Sequence, residues 1–140
     1  MKILTFSGSL RKDSLNKKIS QAAFNFVQSE KLAEIEYIDL QKLEIPVYDG
    51  DVESSGIPKG VKTLCAQIEQ AQALIISSPE YNGSISGVMK NTLDWISRVK
   101  PVPIAGKHVM LCAASPGAFG GVRGLWHTRV PFEEIGRAHV

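Results

Sequence analysis

Residues 2–27 read KILTFSGSLRKDSLNKKISQAAFNFV, and their hydrophobic period changes partway along. Residues 2–7 form a short apolar run ending at Gly8, which is typical of a buried strand. Asp13 or Ser14 is placed to cap a helix that follows. In that helix the apolar side chains recur at helical spacing, at Leu15, Ile19, Ala22, Ala23, Phe26 and Val27. The stretch therefore predicts a strand, a polar turn and an amphipathic helix.

The same alternation continues along the chain. Residues 34–40, 73–78 and 109–114 read as further strands, and the last two are nearly all apolar, as in strands covered on both faces. Helices are predicted from Pro58 to about residue 71 and over residues 87–98. This order predicts an α/β fold, a doubly wound parallel sheet of the flavodoxin-like kind with helices on both faces. Such a sheet has five strands in the order 2-1-3-4-5. Because this sequence supplies four, we expect the fifth strand and the last helix to be missing.

The composition indicates one globular domain. The chain has 140 residues, of which 44% are hydrophobic, and 16 Lys and Arg against 14 Asp and Glu give a net charge of +2. This balance argues against nucleic acid as a partner, and no run of residues is typical of a signal peptide or a membrane span. Cys65 and Cys112 lie among apolar neighbours without metal-ligand spacing, which suits a reducing cytoplasm.

We assign the domain to residues 1–133. Residues 134–140 read EIGRAHV, which is what a common sequencing-library adapter encodes in one reading frame. A non-native tail and a native end are both open interpretations of this segment. Arg137 and His139 therefore enter no functional argument.

A polar loop, GSLRKDSLN at residues 8–16, follows the first strand. Ligands of parallel sheets bind beyond the carboxyl ends of the strands, so this loop is a candidate site. The hydroxyls of Ser9 and Ser14, the amide of Asn16, the guanidinium of Arg11 and the free amides at the helix start suit a phosphate. A Walker loop and a dinucleotide fingerprint both need glycines that are absent here. The alternative is a surface turn whose Ser and Asn merely cap the helix.

A second loop, SSPEYNGSISG at residues 77–87, follows the third strand. Tyr81 offers a ring face, Asn82 offers donors and acceptors, and Gly83 permits close approach of the backbone, which together suit a flat heterocycle. The alternative is a tight turn with Tyr81 packed over the sheet edge. The third loop, residues 115–124, contains four glycines and either borders a ligand or simply connects a strand to a helix.

Other chemistry has weaker support. The segment around Ser115 lacks the glycine that a hydrolase nucleophile elbow needs. His108 and His127 have no partner at ligand spacing, so the sequence predicts no metal site. Trp95 is interpreted as a core or subunit-interface residue, and Lys90 with Asp94 as an ion pair on a helix face.

Two of these motifs, GSLRKDSLN and SPEYNGSISGVMKNTLDW, resemble in order and context the NADPH-dependent FMN reductase family, which includes quinone, chromate and azo-dye reductases. The resemblance extends over about residues 2–132 and implies a flavodoxin-like fold with non-covalent FMN. It implies three groups of site residues: Ser9, Arg11, Ser14 and Asn16 at the FMN phosphate; Pro79, Glu80, Tyr81, Asn82 and Gly83 along the isoalloxazine; and Ser115 and Gly117 bordering the flavin.

The resemblance also implies an activity. NADPH or NADH passes a hydride to bound FMN, and a quinone, free flavin or another small oxidant then takes the electrons, so no catalytic side chain is needed. The family implies a homodimer or homotetramer. Two alternatives are a flavodoxin-type electron carrier, which a charge of +2 disfavours, and a truncated fragment without activity.

Overall fold

The computed structural model describes residues 1–136 and 140 and shows a parallel sheet of four strands flanked by helices. The strands are β1 (Lys2–Ser7), β2 (Glu34–Ile38), β3 (Ala73–Ser77) and β6 (His108–Cys112). They stand in the order β2-β1-β3-β6. Residues Ile3 and Leu4 of β1 pair with Ile35 and Glu36 on one side and with Ala73 and Leu74 on the other. The predicted flavodoxin-like α/β class is confirmed.

Five α-helices connect and follow these strands. They are α1 (Leu15–Ser29), α2 (Gly50–Ser54), α3 (Lys59–Gln70), α4 (Gly87–Arg98) and α5 (Val122–Gly136). The predicted helices near 14–27, 58–71 and 87–98 match α1, α3 and α4 to within a few residues. A 3-10 helix (Leu40–Leu43) and α2 lie between β2 and α3, in a stretch for which no helix was predicted.

The predicted apolar face of α1 is displaced by about one residue from the face that the structure buries. Leu15 is 43% exposed and Phe26 is 60% exposed, whereas the polar residues Asn16 and Ser20 are buried. Val27, which the prediction also placed on the apolar face, is buried as expected. The Ser20 hydroxyl donates to the carbonyl of Phe6 at 2.9 Å. Polar side chains face the sheet here because hydrogen bonds satisfy them, and a count of apolar residues cannot detect that.

A small hairpin, absent from the sequence prediction, follows β3. Strands β4 (Glu80–Tyr81) and β5 (Ser84–Ile85) pair antiparallel around a turn made by Asn82 and Gly83. Both turn residues have positive φ, 53° and 72°. An Asn-Gly pair with this backbone is the favoured two-residue hairpin turn, so the signal was present in the sequence.

The core lies between the sheet and its helices, and Trp95 of α4 is at its centre. This side chain is fully buried, and its Nε1 donates to the carbonyl of Pro46 at 2.8 Å. The core interpretation of Trp95 is confirmed, as is the Lys90–Asp94 ion pair, at 2.6 Å. By contrast, the prediction that β6 is covered on both faces is wrong, because β6 is an edge strand and Met110 is 61% exposed.

Helix α5 follows the third loop and packs on the hairpin and on α4. Residues 134–136 of the suspected tail lie within α5, and the Gly136 carbonyl accepts from the Gly106 amide at 3.0 Å. Residues 137–139, including Arg137 and His139, lie outside the described residues. Within residues 1–136 and 140, no helix combines the length and the hydropathy that crossing a membrane requires.

Candidate functional site

The three polar loops meet beyond the carboxyl ends of β1, β3 and β6. Residues 11, 13–16, 79–81 and 114–116 surround a cavity of about 250 Å³, hereafter the three-loop cavity. Of the predicted site residues, the structure brings seven to its lining: Arg11, Ser14, Asn16, Pro79, Glu80, Tyr81 and Ser115. Ser9, Asn82, Gly83 and Gly117 belong to the same loops but not to the lining.

A larger cavity, of about 430 Å³, lies between residues 40–47 and the start of α4. Its lining is mainly apolar and contains neither Arg nor Lys. It therefore lacks the charge that a phosphate needs, and the three-loop cavity is the better candidate for an anionic ligand.

Ser14 caps α1 at the floor of the three-loop cavity. Its Oγ accepts hydrogen bonds from the amides of Asn16 and Lys17, at 3.2 and 3.3 Å. The predicted capping role of Ser14 is confirmed. The same oxygen still carries a proton that it can donate to a ligand.

Asn16 is buried and joins three elements. Its Oδ1 accepts from the Ala114 amide at 3.0 Å and from the Ser77 hydroxyl at 2.7 Å, while its Nδ2 donates to the Ala114 carbonyl at 3.0 Å. These contacts tie the start of α1 to the ends of β3 and β6. Only one Nδ2 hydrogen is left for a ligand. The sequence could not show this role, because Ser77 and Ala114 are distant along the chain.

Arg11 carries the positive charge of the cavity. Its side chain is exposed and makes no ion pair or hydrogen bond within the described residues. Next to it, the amides of residues 12–14 donate no hydrogen bond to any other described residue. Ser9 is buried, and its Oγ accepts from the Arg11 amide at 3.4 Å. An unpaired guanidinium beside free amides at a helix start is the donor set that a phosphate monoester requires.

The hairpin β4–β5 forms another wall. Pro79 is buried beneath it, and Tyr81 is 41% exposed, so the Tyr81 ring is accessible from the cavity. The positive φ angles of Asn82 and Gly83 show that these two residues form the turn. Asn82 and Gly83 therefore contribute to the site mainly by shaping the loop.

The Glu80 carboxylate turns towards the start of α5. Its oxygens accept from the Arg123 amide at 3.0 Å, the Gly124 amide at 3.1 Å and the Arg123 Nε at 2.9 Å. The Gly124 amide, followed by the Arg123 side chain, holds the pKa of Glu80 below its ordinary value. Arg123 was not among the predicted site residues.

The third loop contributes Ser115 to the lining. The Ser115 Oγ accepts from the Gly117 amide at 3.1 Å, and both residues are exposed. Gly117 thus shapes the loop that presents the serine.

Gly8 and Ser86, which the sequence analysis did not assign to the site, hold the first loop against α4. The Ser86 Oγ donates to the Gly8 carbonyl at 2.7 Å. A Cβ on Gly8 would lie 2.7 Å from the Met89 Cε, so this position has no room for a side chain. One feature of the sequence indicated this contact: the loops that contain Gly8 and Ser86 follow β1 and β3, which pair side by side.

Among residues 1–136 and 140, no three His, Cys, Asp or Glu side chains are grouped so as to hold a metal ion. The polar groups of the lining are one guanidinium, the carboxylates of Asp13 and Glu80, hydroxyls and amides, and the Tyr81 ring lies with them.

Comparison with known proteins identifies related sequences. The model of the NADPH-dependent FMN reductase family matches residues 1–140. A quinone reductase of Escherichia coli is 38% identical over 131 residues, which covers 92% of this chain and 68% of that protein. An NAD(P)H-dependent FMN reductase of Pseudomonas aeruginosa is 40% identical over 129 residues, again covering 92% and 68%.

A solved structure agrees with these relatives. FerB, a flavoenzyme NAD(P)H:(acceptor) oxidoreductase from Paracoccus denitrificans, superposes with a TM-score of 0.83 at 29% identity, covering 96% of this chain and 72% of that one. The whole-chain match and the identity to these relatives lead to one conclusion: the chain belongs to the NADPH-dependent FMN reductase family.

Proposed function

We propose that the protein is an NAD(P)H-dependent oxidoreductase that holds FMN in the three-loop cavity and reduces a quinone, a flavin or another small oxidant. The observation that carries this proposal is the unpaired Arg11 at the start of α1, in one cavity with Tyr81 and Ser115. One end of this cavity is suited to a phosphate and the other to a flat ring. FMN has both parts.

FMN held by these residues would supply the redox chemistry, which is hydride transfer from a nicotinamide followed by electron transfer to an acceptor. The protein's own residues bind and orient. Arg11 neutralises the phosphate, and the Ser14 hydroxyl and the amides of residues 12–14 donate hydrogen bonds to it. The buried Ser9 supports them by accepting a hydrogen bond from the Arg11 amide. Asn16 keeps the first and third loops at a fixed distance. The hairpin with Tyr81, supported by Pro79, presents a surface for the ring.

No acid, base or nucleophile is required of the side chains in this proposal. The groups nearest to such a role are the Glu80 carboxylate, which is bonded to α5, and the Ser115 hydroxyl, which is bonded to its own loop. Specificity for an acceptor then depends on access to the ring. Quinones fit because they are flat, and the relatives include proteins named as quinone reductases.

A flavodoxin-type electron carrier is the second candidate. It would use the same cavity but take its electrons from a protein partner, for which a strongly acidic surface is typical. The net charge of +2 disfavours it. The decisive experiment is steady-state oxidation of NADPH, and separately of NADH, with a quinone and catalytic FMN present. An enzyme turns over many equivalents, whereas a carrier shows almost no turnover.

We also infer a homodimer or homotetramer and a cytoplasmic location. The exposed apolar residues Leu15, Phe26 and Trp126 offer surface for contact between copies. The free thiols of Cys65 and Cys112 suit a reducing compartment. Light scattering of the purified protein measures the oligomeric state, and fractionation of the source cells measures the location.

A further inference from the structure

The Glu80 carboxylate is almost fully engaged by one end of α5. Its side chain is 10% exposed, and the closest Arg123 nitrogen lies 2.7 Å from Oε1. The other oxygen, Oε2, accepts from two successive amides, those of Arg123 and Gly124. Charge-assisted bonds to a guanidinium and to helix amides are among the stronger hydrogen bonds in proteins. Glu80 therefore caps α5 from outside the helix.

The packing is tight on the α5 side of this contact and is ordinary van der Waals contact on the hairpin side. A Cβ on Gly124 would lie 2.9 Å from both Cα and Cβ of Glu80 and 3.2 Å from the Ser84 carbonyl oxygen. A Cβ on Gly83 would lie 3.8 Å from the Arg123 guanidinium carbon. Helix α5 thus begins directly against the β4–β5 hairpin, with the Arg123 side chain beside the turn.

The hairpin needs such support. It has only two residue pairs, Glu80 with Ile85 and Tyr81 with Ser84. An isolated two-stranded hairpin is marginal in water. A further contact, between His127 Nδ1 and the Ser84 Oγ at 2.9 Å, also comes from α5.

The contact of Glu80 with Arg123 and Gly124 also joins two of the three loops. Glu80 lies in the second loop, and Arg123 lies near the end of the third loop, residues 115–124, where α5 begins. Since Asn16 already ties the first loop to Ala114, the Glu80 contact completes the connection around the three-loop cavity. The lowered pKa of Glu80 is consistent with a carboxylate that stays ionised in this role.

We propose that Glu80 is a positioning residue: through Arg123 and Gly124 it holds the β4–β5 hairpin and the third loop in the arrangement that receives the flavin ring. This rests on the proposed FMN site, and it departs from the expectation that Glu80 lines the isoalloxazine. The Glu80 carboxylate acts on α5, and Tyr81 and the hairpin backbone act on the ring.

Three variants and a control test it. Glu80→Ala removes every bond to α5. Arg123→Ala removes the guanidinium but leaves both capped amides, and the double variant combines them. The matched control is Glu133→Ala, which breaks an exposed Arg129–Glu133 pair of 2.6 Å on the same helix. If Glu80→Ala does not fold, Glu80→Gln, which keeps an oxygen acceptor, takes its place.

The first readout is the dissociation constant for FMN and for riboflavin, by quenching of flavin fluorescence. Glu80→Ala should raise the dissociation constants of both flavins about tenfold or more. The reason is that the apparent affinity falls with the fraction of molecules whose hairpin is in the binding arrangement. Arg123→Ala should weaken both less. The double variant should resemble Glu80→Ala alone, and Glu133→Ala should resemble the parent. A Glu80→Ala variant with parental affinity, or single effects that multiply in the double variant, would overturn the proposal.

The second readout needs no flavin, so it separates this proposal from the proposed function. Amide hydrogen exchange over residues 79–85 and 122–125 should rise in Glu80→Ala and stay parental in Glu133→Ala. If the parent binds no flavin, the proposed FMN site fails, and this inference fails with it. If the parent binds flavin but exchange over these segments is unchanged in Glu80→Ala, the FMN site stands and the positioning role is refuted.

Discussion

Replacement of Arg11 by Ala should weaken FMN binding while leaving riboflavin binding nearly unchanged. The Arg11 guanidinium has no ion-pair partner within residues 1–136 and 140, so its removal disrupts no contact of the folded chain. What is lost is the charged contact to the phosphate, for which a hydrogen bond to a charged group contributes about 1.5–3 kcal/mol. Every 1.4 kcal/mol is a factor of ten, so the dissociation constant should rise roughly 10- to 100-fold.

Fluorescence titration of FMN and of riboflavin into both proteins measures this effect. Riboflavin has the ring but no phosphate, so its affinity reports on the remainder of the cavity. Lys18→Ala is the matched control, because it removes the same charge from an exposed residue of α1 that does not line the three-loop cavity. Arg11→Ala binding FMN as the parent does, or losing FMN and riboflavin to the same extent, would refute the phosphate assignment.

Further predictions concern the fold around the site. Trp95→Ala should lower the free energy of unfolding by about 3–5 kcal/mol in urea titrations, since Trp95 is fully buried, whereas Leu32→Ala, at a residue 63% exposed, should be nearly neutral. Gly60→Ala should be strongly destabilising, because its Cβ would lie 1.8 Å from the carbonyl oxygen of Leu43; an unchanged thermal midpoint would contradict that packing. Burial raises the pKa of Cys65 to about 12, so this thiol should resist alkylation at pH 8 until the chain is unfolded, as mass spectrometry of the labelled peptide would show.

The sheet was predictable because its strands are short apolar runs, and alternation with helices leaves few topologies open. The buried face of α1 was not predictable, because Asn16 and Ser20 are polar and yet face the sheet. Their burial depends on partners that are remote in sequence, the carbonyl of Phe6 and the Ser77 and Ala114 groups. Hydrophobic periodicity carries no information about such bonds.

The residues of the site were likewise predictable only in part. The sequence placed Arg11 and Ser14 correctly in a loop at the start of a helix, because anion-binding groups there are local in sequence. It could have identified the β4–β5 hairpin, since Asn82-Gly83 is a strong turn signal. It could not show that Glu80 faces α5, because that contact depends on how the chain returns to the hairpin after β6, with Arg123 and Gly124.

The visible absorption spectrum of the protein with FMN, recorded without oxygen before and after addition of NADPH, tests the central claim most directly. The account predicts that one FMN binds per chain and that its oxidised absorption band disappears when NADPH is added. FMN that binds and keeps its oxidised spectrum would contradict the enzymatic function and favour an electron carrier. A chain that binds no FMN would contradict the assignment of the three-loop cavity itself.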